Sequence, residues 1–516
     1  MKVGIYNRWL ATLGGGEKHS LAIAEYLSHN HEVHVISHQS VSREEAAQRL
    51  NLDLSQVQFD VIPACSSEEL QQMTADYDLF LNTSFMEFLS SKAKHSAALI
   101  FFPAPIGEGS TPRLRYRLGW AAKRWFMIPT FSDGVVNIRP QKNQRQEIEV
   151  SSLVRIKLPE SYQSYQLSFE LAILKKSIQE VTLTLDRKQV EKVSFDDPER
   201  FKSIVVTIPQ TRGRQQELVI EAPNSEMDGT ASLVMTGITV HTPRYKMFQS
   251  IFQGVLSKYG LRFQLLLLPY SAILEAMDTY DALWANSEYT RRWIRNYWNR
   301  ESRVLYPPVD IEAIKPAPKK NQILNVGRFF AGDHNKKHKV MVRAFKEIVD
   351  EGLKDWELHL VGGTDPREIN QKYLAEVIAE TQGYPIYVHP DLPYPDLLKL
   401  YSESAIYWHA SGYGEDENRE PVKFEHFGIT TVEGMAAGCV PVVIGKGGQT
   451  EIVRHGQNGY LWYSLDELKQ YTRNLIAKPE LRKSLSTAAI VDSQRYSTQN
   501  FQNILRERLK EIGTDQ

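Results

Sequence analysis

The sequence predicts an α/β protein with two doubly wound parallel-sheet domains and an antiparallel β domain inserted into the first of them. Three observations support this prediction. The chain opens with a buried strand, a glycine turn and an amphipathic helix, and between residues 131 and 243 the pattern changes to alternating β-branched positions. A second series of buried strands and helices begins near residue 321.

The first α/β domain begins at the N-terminus. Residues 1–7 form an apolar run typical of a buried parallel strand, and glycines 14 to 16 precede a segment with helical spacing of its apolar residues. The segment 32–37 is a second strand, which completes a βαβ unit. Further strands are expected at 77–83 and 96–103.

The inserted domain spans about 110 residues, which is enough for an independent fold. Its short apolar runs recur with Pro, Gly, Asn and Asp between them, as in an antiparallel sandwich or barrel. The insert contains no catalytic cluster that we can identify. Binding of a glycan, contact with a partner and extension of a substrate cleft remain open as its role.

The second α/β domain follows a proline-rich linker, YPPVDIEAIKPAPKK. Its strands are expected at 321–329, 356–363, 385–390, 405–411 and 440–445. We therefore assign residues 1–130 and 244–312 to the N-terminal domain, 131–243 to the insert, 313–490 to the C-terminal domain and 491–516 to a C-terminal helix.

Composition excludes several classes of protein. The 516 residues carry 61 Lys and Arg against 62 Asp and Glu, so the net charge of −1 argues against nucleic acid as a main partner. The two cysteines, Cys65 and Cys439, exclude a disulfide framework and a cysteine zinc module, and they suit a reducing compartment. No apolar stretch reaches the ~20 residues of a membrane-spanning helix, so we expect a soluble or membrane-surface protein.

The segment FEHFGITTVEGMAAGCVPVV (424–443) carries the strongest chemical signal. Gly428, Ile429 and Thr430 begin a helix whose free N–H groups would hold an anion. Glu433, one turn inside this helix, would suit a bidentate hydrogen bond to ribose hydroxyls, and Glu425 precedes it by eight residues. For an isolated pair of glutamates, solvated surface positions are the commoner explanation.

Three further segments change that interpretation: 13–37, 280–310 and VGRFFAGDHNKKHKVMVRAF (326–345). Together with 424–443 they resemble, in family order, the GT-B glycosyltransferases of family 4, which are retaining nucleotide-sugar enzymes. The family pattern E-x-F-G-x-x-x-x-E is intact as EHFGITTVE. The EHFG motif and the wide loop before it are similar to mannosyltransferases that build lipid-linked oligosaccharides.

The resemblance implies roles for the cations and for Glu425. Arg328, which follows Gly327, and Lys336 would neutralise the charge that develops on a nucleoside diphosphate leaving group. Lys337 is an alternative to Lys336, since the loop is longer than is usual in the family. Glu425 would lie beside the donor sugar, orient its hydroxyls and stabilise positive charge on the ring.

The same resemblance implies the nucleotide site and the chemistry. Glu433, the start of its helix and Gly327 would hold the nucleotide, and the turn at Gly15 and Gly16 would let the backbone approach the donor phosphates or the acceptor. The fold requires no Asp-x-Asp metal box, and the sequence shows no cluster with metal-ligand spacing, so we expect no metal and no cofactor.

The acceptor side departs from the family. Many members have a His just before a Pro at a strand end, where this sequence has Phe102 in LIFFPAPIGEG. His95 is near in sequence, but a lone histidine is more often structural. The segment 111–128 carries five cations and no acid among aromatic residues, which suits packing on the core, an anionic membrane surface or an anionic acceptor.

The sequence therefore predicts a cytoplasmic retaining glycosyltransferase, peripheral on the inner face of a membrane if 111–128 binds lipid. It would move a hexose from GDP-mannose or a UDP-sugar to a glycan or a lipid-linked glycan. Two alternatives remain: a nucleotide-sugar epimerase, and a catalytically weak sugar-binding or scaffolding relative.

Overall fold

The computed structural model describes residues 1–514 except 64, 66, 106–122, 124, 139–146, 160, 162, 176, 187, 199, 211–215, 223–230, 255–269 and 333. Within the described residues it contains two parallel sheets and, between the segments of the first, one antiparallel sheet.

The first part of the N-terminal domain alternates strands and helices as a doubly wound sheet requires. Its strands are β1 (Lys2–Tyr6), β2 (Glu32–Ser37), β3 (Val57–Val61), β4 (Leu79–Asn82) and β5 (His95–Ile100). Its helices are α1 (Gly15–Ser28), α2 (Arg43–Leu50) and α3 (Ser67–Thr74).

The insert forms one antiparallel sheet with its own core. Its strands are β6 (Thr130–Ile138), β7 (Glu147–Lys157), β8 (Tyr165–Ile173), β9 (Glu180–Leu185), β10 (Lys188–Ser194), β11 (Lys202–Ile208), β12 (Glu217–Glu221) and β13 (Leu233–Val240). Helix α4 (Pro243–Gly254) follows. The sheet order is β10-β9-β12-β7-β13-β8-β11, and β6 pairs with β7.

The chain then returns to the first sheet. The elements there are α5 (Tyr270–Met277), β14 (Ala282–Ala285), α6 (Glu288–Trp298) and β15 (Arg303–Val304). The order of this parallel sheet is β15-β14-β5-β4-β1-β2-β3. Because β14 pairs with β5, the insert leaves and re-enters the domain beside one pair of neighbouring strands.

The C-terminal domain is a second parallel sheet with helices. Its strands are β16 (Lys320–Val326), β17 (Glu357–Gly362), β18 (Ile386–Pro390), β19 (Ser404–His409), β20 (Val440–Ile444) and β21 (Tyr460–Trp462). Its helices are α7 (His338–Asp350), α8 (Glu368–Glu380), α9 (Tyr394–Glu403), α10 (Ile429–Ala436), α11 (Gln449–Ile452), α12 (Leu465–Ala477), α13 (Pro479–Ser493) and α14 (Thr498–Glu511). The sheet order is β18-β17-β16-β19-β20-β21.

Two segments pack differently from their sequence assignment. Helix α4, which we assigned to the N-terminal domain, packs Tyr245 and Phe248 into the core of the insert. The final helix, α14, packs Phe501, Leu505 and Leu509 into the N-terminal core, because its apolar stripe complements the sheet there. The chain thus crosses back to its first domain after completing the second.

In the described part of the chain, no helix is both long and apolar enough to cross a membrane.

We predict that a fragment of residues 125–254 folds alone. In the described part of the chain, every buried residue of the insert's core cluster lies between Met127 and Phe248, so the fragment keeps the whole of that described cluster. Far-UV circular dichroism should show β structure and a cooperative thermal transition. A spectrum of an unfolded chain would show that the insert depends on the N-terminal domain.

Candidate functional site

The C-terminal sheet reverses its strand order between β16 and β19. From β16 the chain proceeds to β17 and β18 on one side, and it then crosses to β19 on the other side. Connections that leave in opposite directions open a crevice at the carboxyl ends of the two strands. The loops 327–337 and 410–428 line this crevice, and they carry half of the predicted site residues: Gly327, Arg328, Lys336, Glu425 and Gly428.

Glu425 is the centre of a three-residue contact in the crevice. Its Oε2 accepts hydrogen bonds from Lys336 Nζ at 2.5 Å and from His409 Nε2 at 3.1 Å. Among the described residues, Oε1 of Glu425 has no partner. Because both donors bind the same oxygen, the other oxygen is left for a ligand.

The charges of this contact are well defined. Burial alone would raise the pKa of Glu425, but the Lys336 ammonium and the hydrogen bond from His409 hold that pKa well below its usual range. Burial lowers the pKa of His409 despite its bond to Glu425. The contact therefore consists of a carboxylate, an ammonium and a neutral imidazole whose proton is assigned to Nε2.

Two glycines allow close packing at the base of Lys336: Gly327 faces the lysine side chain, and Gly362 faces the backbone of Gly327. A Cβ on Gly327 would lie 2.6 Å from Lys336 Cγ, and a Cβ on Gly362 would lie 2.0 Å from the Gly327 carbonyl oxygen. Both distances are shorter than any van der Waals contact. The strand ends and the lysine stem thus pack directly on one another, which gives Gly327 a structural reason beside its predicted role at the nucleotide.

The other predicted cations lie close by and differ in their partners. Arg328 is exposed, its guanidinium is 6.0 Å from the Phe330 ring centre, and it forms no ion pair within the described part of the chain. Lys337 pairs with Glu415 at 2.7 Å. The structure therefore places Lys336, and not the alternative Lys337, against Glu425.

Helix α10 begins at the same crevice. Gly428 precedes it with a φ of 119°, and a Cβ there would lie 2.4 Å from Gln449 Nε2, so glycine is required. The backbone N–H groups of Ile429 and Thr430 donate to no described residue. Tyr407 donates its hydroxyl to Thr430 Oγ1 at 2.7 Å. The helix start therefore presents two backbone donors to an anion.

Glu433 lies one turn into α10, as the sequence predicted. Tyr401 donates its hydroxyl to Glu433 Oε2 at 2.8 Å. Burial raises the pKa of Glu433, whereas the positive charge of Lys18 and the bond from Tyr401 act in the opposite direction. Since Lys18 belongs to the N-terminal domain, Glu433 is within electrostatic range of the opposite wall of the cleft.

The glycine turn of the N-terminal domain approaches α10. A Cβ on Gly15 would lie 3.0 Å from Ile429 Cδ1, so the turn meets the start of the helix across the cleft. A Cβ on Gly16 would instead lie 3.5 Å from the Phe101 ring of its own domain. Of the two predicted glycines, only Gly15 is shown to contact the opposite domain.

Phe102 also contacts the C-terminal domain. Its ring stacks on His426 with centroids 4.3 Å apart and an interplanar angle of 17°. Burial lowers the pKa of His426 to about 3, so the stack consists of two neutral rings. His95 begins β5 and lies beside Gly513, where a Cβ would be 3.4 Å from its ring.

Sequence reasoning missed two site residues. His409 ends a buried strand directly before the loop of Glu425, and that position was a usable signal. Glu451 accepts hydrogen bonds from the backbone N–H groups of Glu288 at 2.9 Å and Tyr289 at 3.3 Å, at the start of α6. Glu451 thus caps the N-terminus of this helix. No local sequence pattern predicts the cap, because it joins residues about 160 positions apart in different domains.

The structure describes only part of the residues that bear on two sequence predictions, the absence of a metal site and the role of residues 111–128. Within the described residues, no group of three or more His, Cys, Asp and Glu side chains is arranged to hold a metal ion. The segment 111–128 lies outside the described residues, apart from 123 and 125–128.

Comparison with protein families gives one match. The profile described as "Glycosyl transferases group 1" matches residues 309–492, which carry the whole crevice of the C-terminal domain. Curated relatives are named GDP-Man:Man(3)GlcNAc(2)-PP-Dol alpha-1,2-mannosyltransferase. The protein from Dictyostelium discoideum is 26% identical over 269 residues (47% of this chain, 50% of the relative), and the human protein is 25% identical over 246 residues (43% and 46%). The chain thus spans about half the length of these relatives.

Solved structures share the arrangement of the whole chain. Alr3699/HepE from Anabaena, solved in complex with UDP and glucose, has a TM-score of 0.54 at 12% identity and covers 99% of this chain and 100% of its own. A glycosyltransferase from Rickettsia africae has a TM-score of 0.50 at 12% identity and covers 100% and 99%. The predicted GT-B fold class is confirmed, and the inserted domain is antiparallel β as predicted. The predicted sandwich has two sheets, whereas the described strands of the insert form one sheet.

We predict that Lys336→Met destabilises the protein at neutral pH. The substitution leaves the part-buried Glu425 carboxylate without its cation, at a cost of about 1–3 kcal/mol. In wild type the pKa of Glu425 is depressed, so its contribution to stability is present above the pKa of an unfolded glutamate and is lost only as pH falls through the lower folded value. In the variant, burial raises that pKa, and the loss of Tm should shrink between pH 8 and pH 5.

Lys337→Met is the matched control for this measurement. Its partner Glu415 keeps a second cation, Lys423, at 3.3 Å, so a smaller loss of Tm is expected. Equal losses at all pH values in both variants would contradict the assignment of Lys336 to Glu425.

Proposed function

We propose that this protein, whose C-terminal domain belongs to the group 1 glycosyltransferases, is a retaining glycosyltransferase. It transfers a hexose from a nucleotide-diphosphate sugar to a glycan or a lipid-linked glycan. The observation that carries the proposal is the grouping of Arg328, Lys336, Glu425 and the start of α10 around one switch-point crevice. The names of the curated relatives make GDP-mannose the first donor to test, with UDP-sugars next.

The leaving group is the diphosphate. As the glycosidic bond breaks, negative charge grows on the phosphate oxygens, and fixed positive groups lower the barrier most when they are already in place. Arg328 offers a planar fork, Lys336 a point charge, and Ile429 and Thr430 two backbone donors. These groups supply the positive charge that a metal ion would otherwise supply, so we propose that the reaction needs neither metal nor cofactor.

Glu433 binds the ribose in this proposal. Its Oε2 is held by Tyr401, so the carboxylate has a fixed orientation one turn beyond the two free N–H groups. A ribose that follows the diphosphate along the helix would donate its hydroxyls to this carboxylate.

Glu425 acts on the transferred sugar. Lys336 and His409 fix Oε2, and Oε1 would accept a hydroxyl of the hexose. An ionised carboxylate beside the ring also stabilises the positive charge that develops at the anomeric carbon. We propose attack from the face that the leaving group vacates, with a donor phosphate oxygen accepting the proton of the acceptor hydroxyl.

A panel of nucleotide sugars tests the proposal directly. Wild-type protein should release a nucleoside diphosphate from GDP-mannose or from one UDP-sugar, faster with an acceptor and equally with EDTA. Conversion of the donor to its epimer would identify an epimerase, and binding without turnover would identify a sugar-binding relative.

The first kinetic prediction concerns the phosphate contacts. Arg328→Ala and Lys336→Ala should each lower kcat/KM by about 10²–10³-fold, as does removal of one preorganised donor in other enzymes. Lys337→Ala is the matched control and should stay near wild type, because its ammonium binds Glu415. Wild-type kinetics in the Lys336 variant would reject its role at the diphosphate.

The second kinetic prediction separates the two glutamates. Glu433→Ala should weaken nucleoside diphosphate binding, measured by calorimetry, because the ribose loses its acceptor. Glu425→Gln should bind the nucleoside diphosphate as wild type does and lose transfer. If Glu425→Gln instead transfers normally, the carboxylate does not act on the sugar.

We also propose peripheral attachment to the inner, cytoplasmic face of a membrane, through residues 111–128 and the surface beside them. Trp125, Met247 and Ile251 have exposed fractions of 50%, 42% and 42%. The Arg244 guanidinium lies 5.8 Å from the Trp125 ring centre. Exposed apolar side chains beside cations suit an anionic bilayer surface.

Vesicle sedimentation tests this attachment. Wild type should sediment with phosphatidylserine vesicles and not with phosphatidylcholine vesicles, and less at high salt because ions screen the attraction within ~8 Å at 0.15 M. Replacing Arg113, Arg115 and Arg117 with Gln should abolish sedimentation without lowering donor hydrolysis. Ile369→Ser, at a 65% exposed position of the C-terminal domain, is the control and should sediment normally.

A further inference from the structure

The N-terminal sheet has a switch point of its own. From β1 the chain proceeds to β2 and β3 on one side, whereas β4 and β5 lie on the other. The loops 7–14 and 83–91 leave the carboxyl ends of β1 and β4, so they border a crevice of the kind that binds ligands in open α/β sheets. Nothing described so far uses this crevice.

The side chains at this switch point form one connected cluster. The Arg8 backbone N–H donates to Ser84 Oγ at 2.7 Å, and Trp9 Nε1 donates to the Phe85 carbonyl oxygen at 3.0 Å. Arg8 Nη1 pairs with Glu87 Oε2 at 2.7 Å. We call these residues the Arg8–Trp9–Glu87 cluster. Its bonds join the two loops and fix their side chains before any ligand binds.

Trp9 and Glu87 are part-exposed, whereas Arg8 is buried. The Arg8 guanidinium carbon lies 5.6 Å from the Trp9 ring centre, and the indole N–H is held by Phe85. A ring fixed at two points loses little conformational freedom when a ligand packs on it. The cluster therefore offers an oriented aromatic surface beside a cation and a carboxylate.

The cluster lies where the two domains meet. The loop that carries Trp9 ends at Gly15, which contacts Ile429 of the C-terminal domain. On the other side, the ring of Phe85 lies 6.3 Å from that of His334, which lies 5.0 Å from His426. Contacts to the C-terminal domain therefore lie on both sides of Trp9. The contacts that run through Phe85 and His334 reach His426, which is next to Glu425.

We propose that the Arg8–Trp9–Glu87 cluster is a subsite for a pyranose of the acceptor. One face of a pyranose is made of C–H groups and packs on an indole, while its rim of hydroxyls both donates and accepts hydrogen bonds. Arg8 supplies donors and Glu87 supplies acceptors for that rim. The cluster's charges sum to zero, which favours a neutral sugar over an anionic group such as pyrophosphate. This inference rests on the proposed function, since it names the acceptor of the same cleft.

Trisaccharide binding without any donor tests the subsite. Mannotriose and chitotriose serve as probes, and saturation-transfer NMR reports their binding to the full chain. At least one should bind wild type, and Trp9→Ala should weaken that binding about tenfold because the stacking surface is lost. Trp9→Phe should restore most of it. Trp125→Ala, which removes an exposed tryptophan of the insert, should bind as wild type does.

Three results would overturn the proposal: binding of neither trisaccharide to wild type, wild-type binding by Trp9→Ala, or displacement of the bound trisaccharide by inorganic pyrophosphate. The last result would assign the cluster to an anionic group. Donor hydrolysis without acceptor is measured on the wild-type protein in parallel. Absent hydrolysis in wild type would count against the proposed function and leave the trisaccharide result to be judged separately.

Discussion

One carboxylate oxygen, Oε2 of Glu425, receives both Lys336 and His409, and the arrangement of the C-terminal crevice depends on this contact. The two donors come from the loop after β16 and from the last residue of β19, so the contact joins the strand ends on either side of the switch point. An unpaired charge in this part-buried position would cost free energy, so the pairing is maintained. The maintained pairing in turn fixes the loops that carry Lys336 and Glu425. Gly327 lets the lysine stem reach the contact.

The two walls of the cleft contact each other through interactions of a different kind, an aromatic stack and a helix cap. The stacked rings of Phe102 and His426 are neutral, and Glu451 binds the free N–H groups at the start of α6. The stack buries both of its rings, whereas the Glu451 cap is part-exposed and the pair of Arg292 and Glu417 is largely exposed, and surface ion pairs contribute little. Phe102 therefore contributes to the contact between the domains, at the position where the family resemblance led us to expect a His. Arg8 and Glu87, at the ends of β1 and β4, are polar groups of the N-terminal wall.

Much of the fold could be predicted from the sequence, because buried parallel strands are continuous apolar runs. The unpredicted strands lack that signal. β10 is mostly exposed and polar, and it pairs with one neighbour at the sheet edge, so no apolar alternation marks it. The resemblance to a known family, rather than spacing alone, placed Glu425, Glu433 and a nearby lysine at one site. The resemblance favoured Lys336 and left Lys337 as an alternative. In the structure the backbone at Lys337 has a φ of 59°, and the two lysines bind different partners, Glu425 and Glu415. The stack on Phe102 depends on domain packing, which no local pattern encodes.

The central claim is that Glu425 and the cations beside it carry out transfer with retention of configuration. The most direct measurement is the anomeric configuration of the glycosidic bond in the first product formed from GDP-mannose or an active UDP-sugar, read from the one-bond C1–H1 coupling by NMR. The account predicts that an α-linked donor gives an α-linked product, and that Glu425→Gln gives almost none. A β-linked first product, or an α-linked product formed equally well by Glu425→Gln, would contradict it.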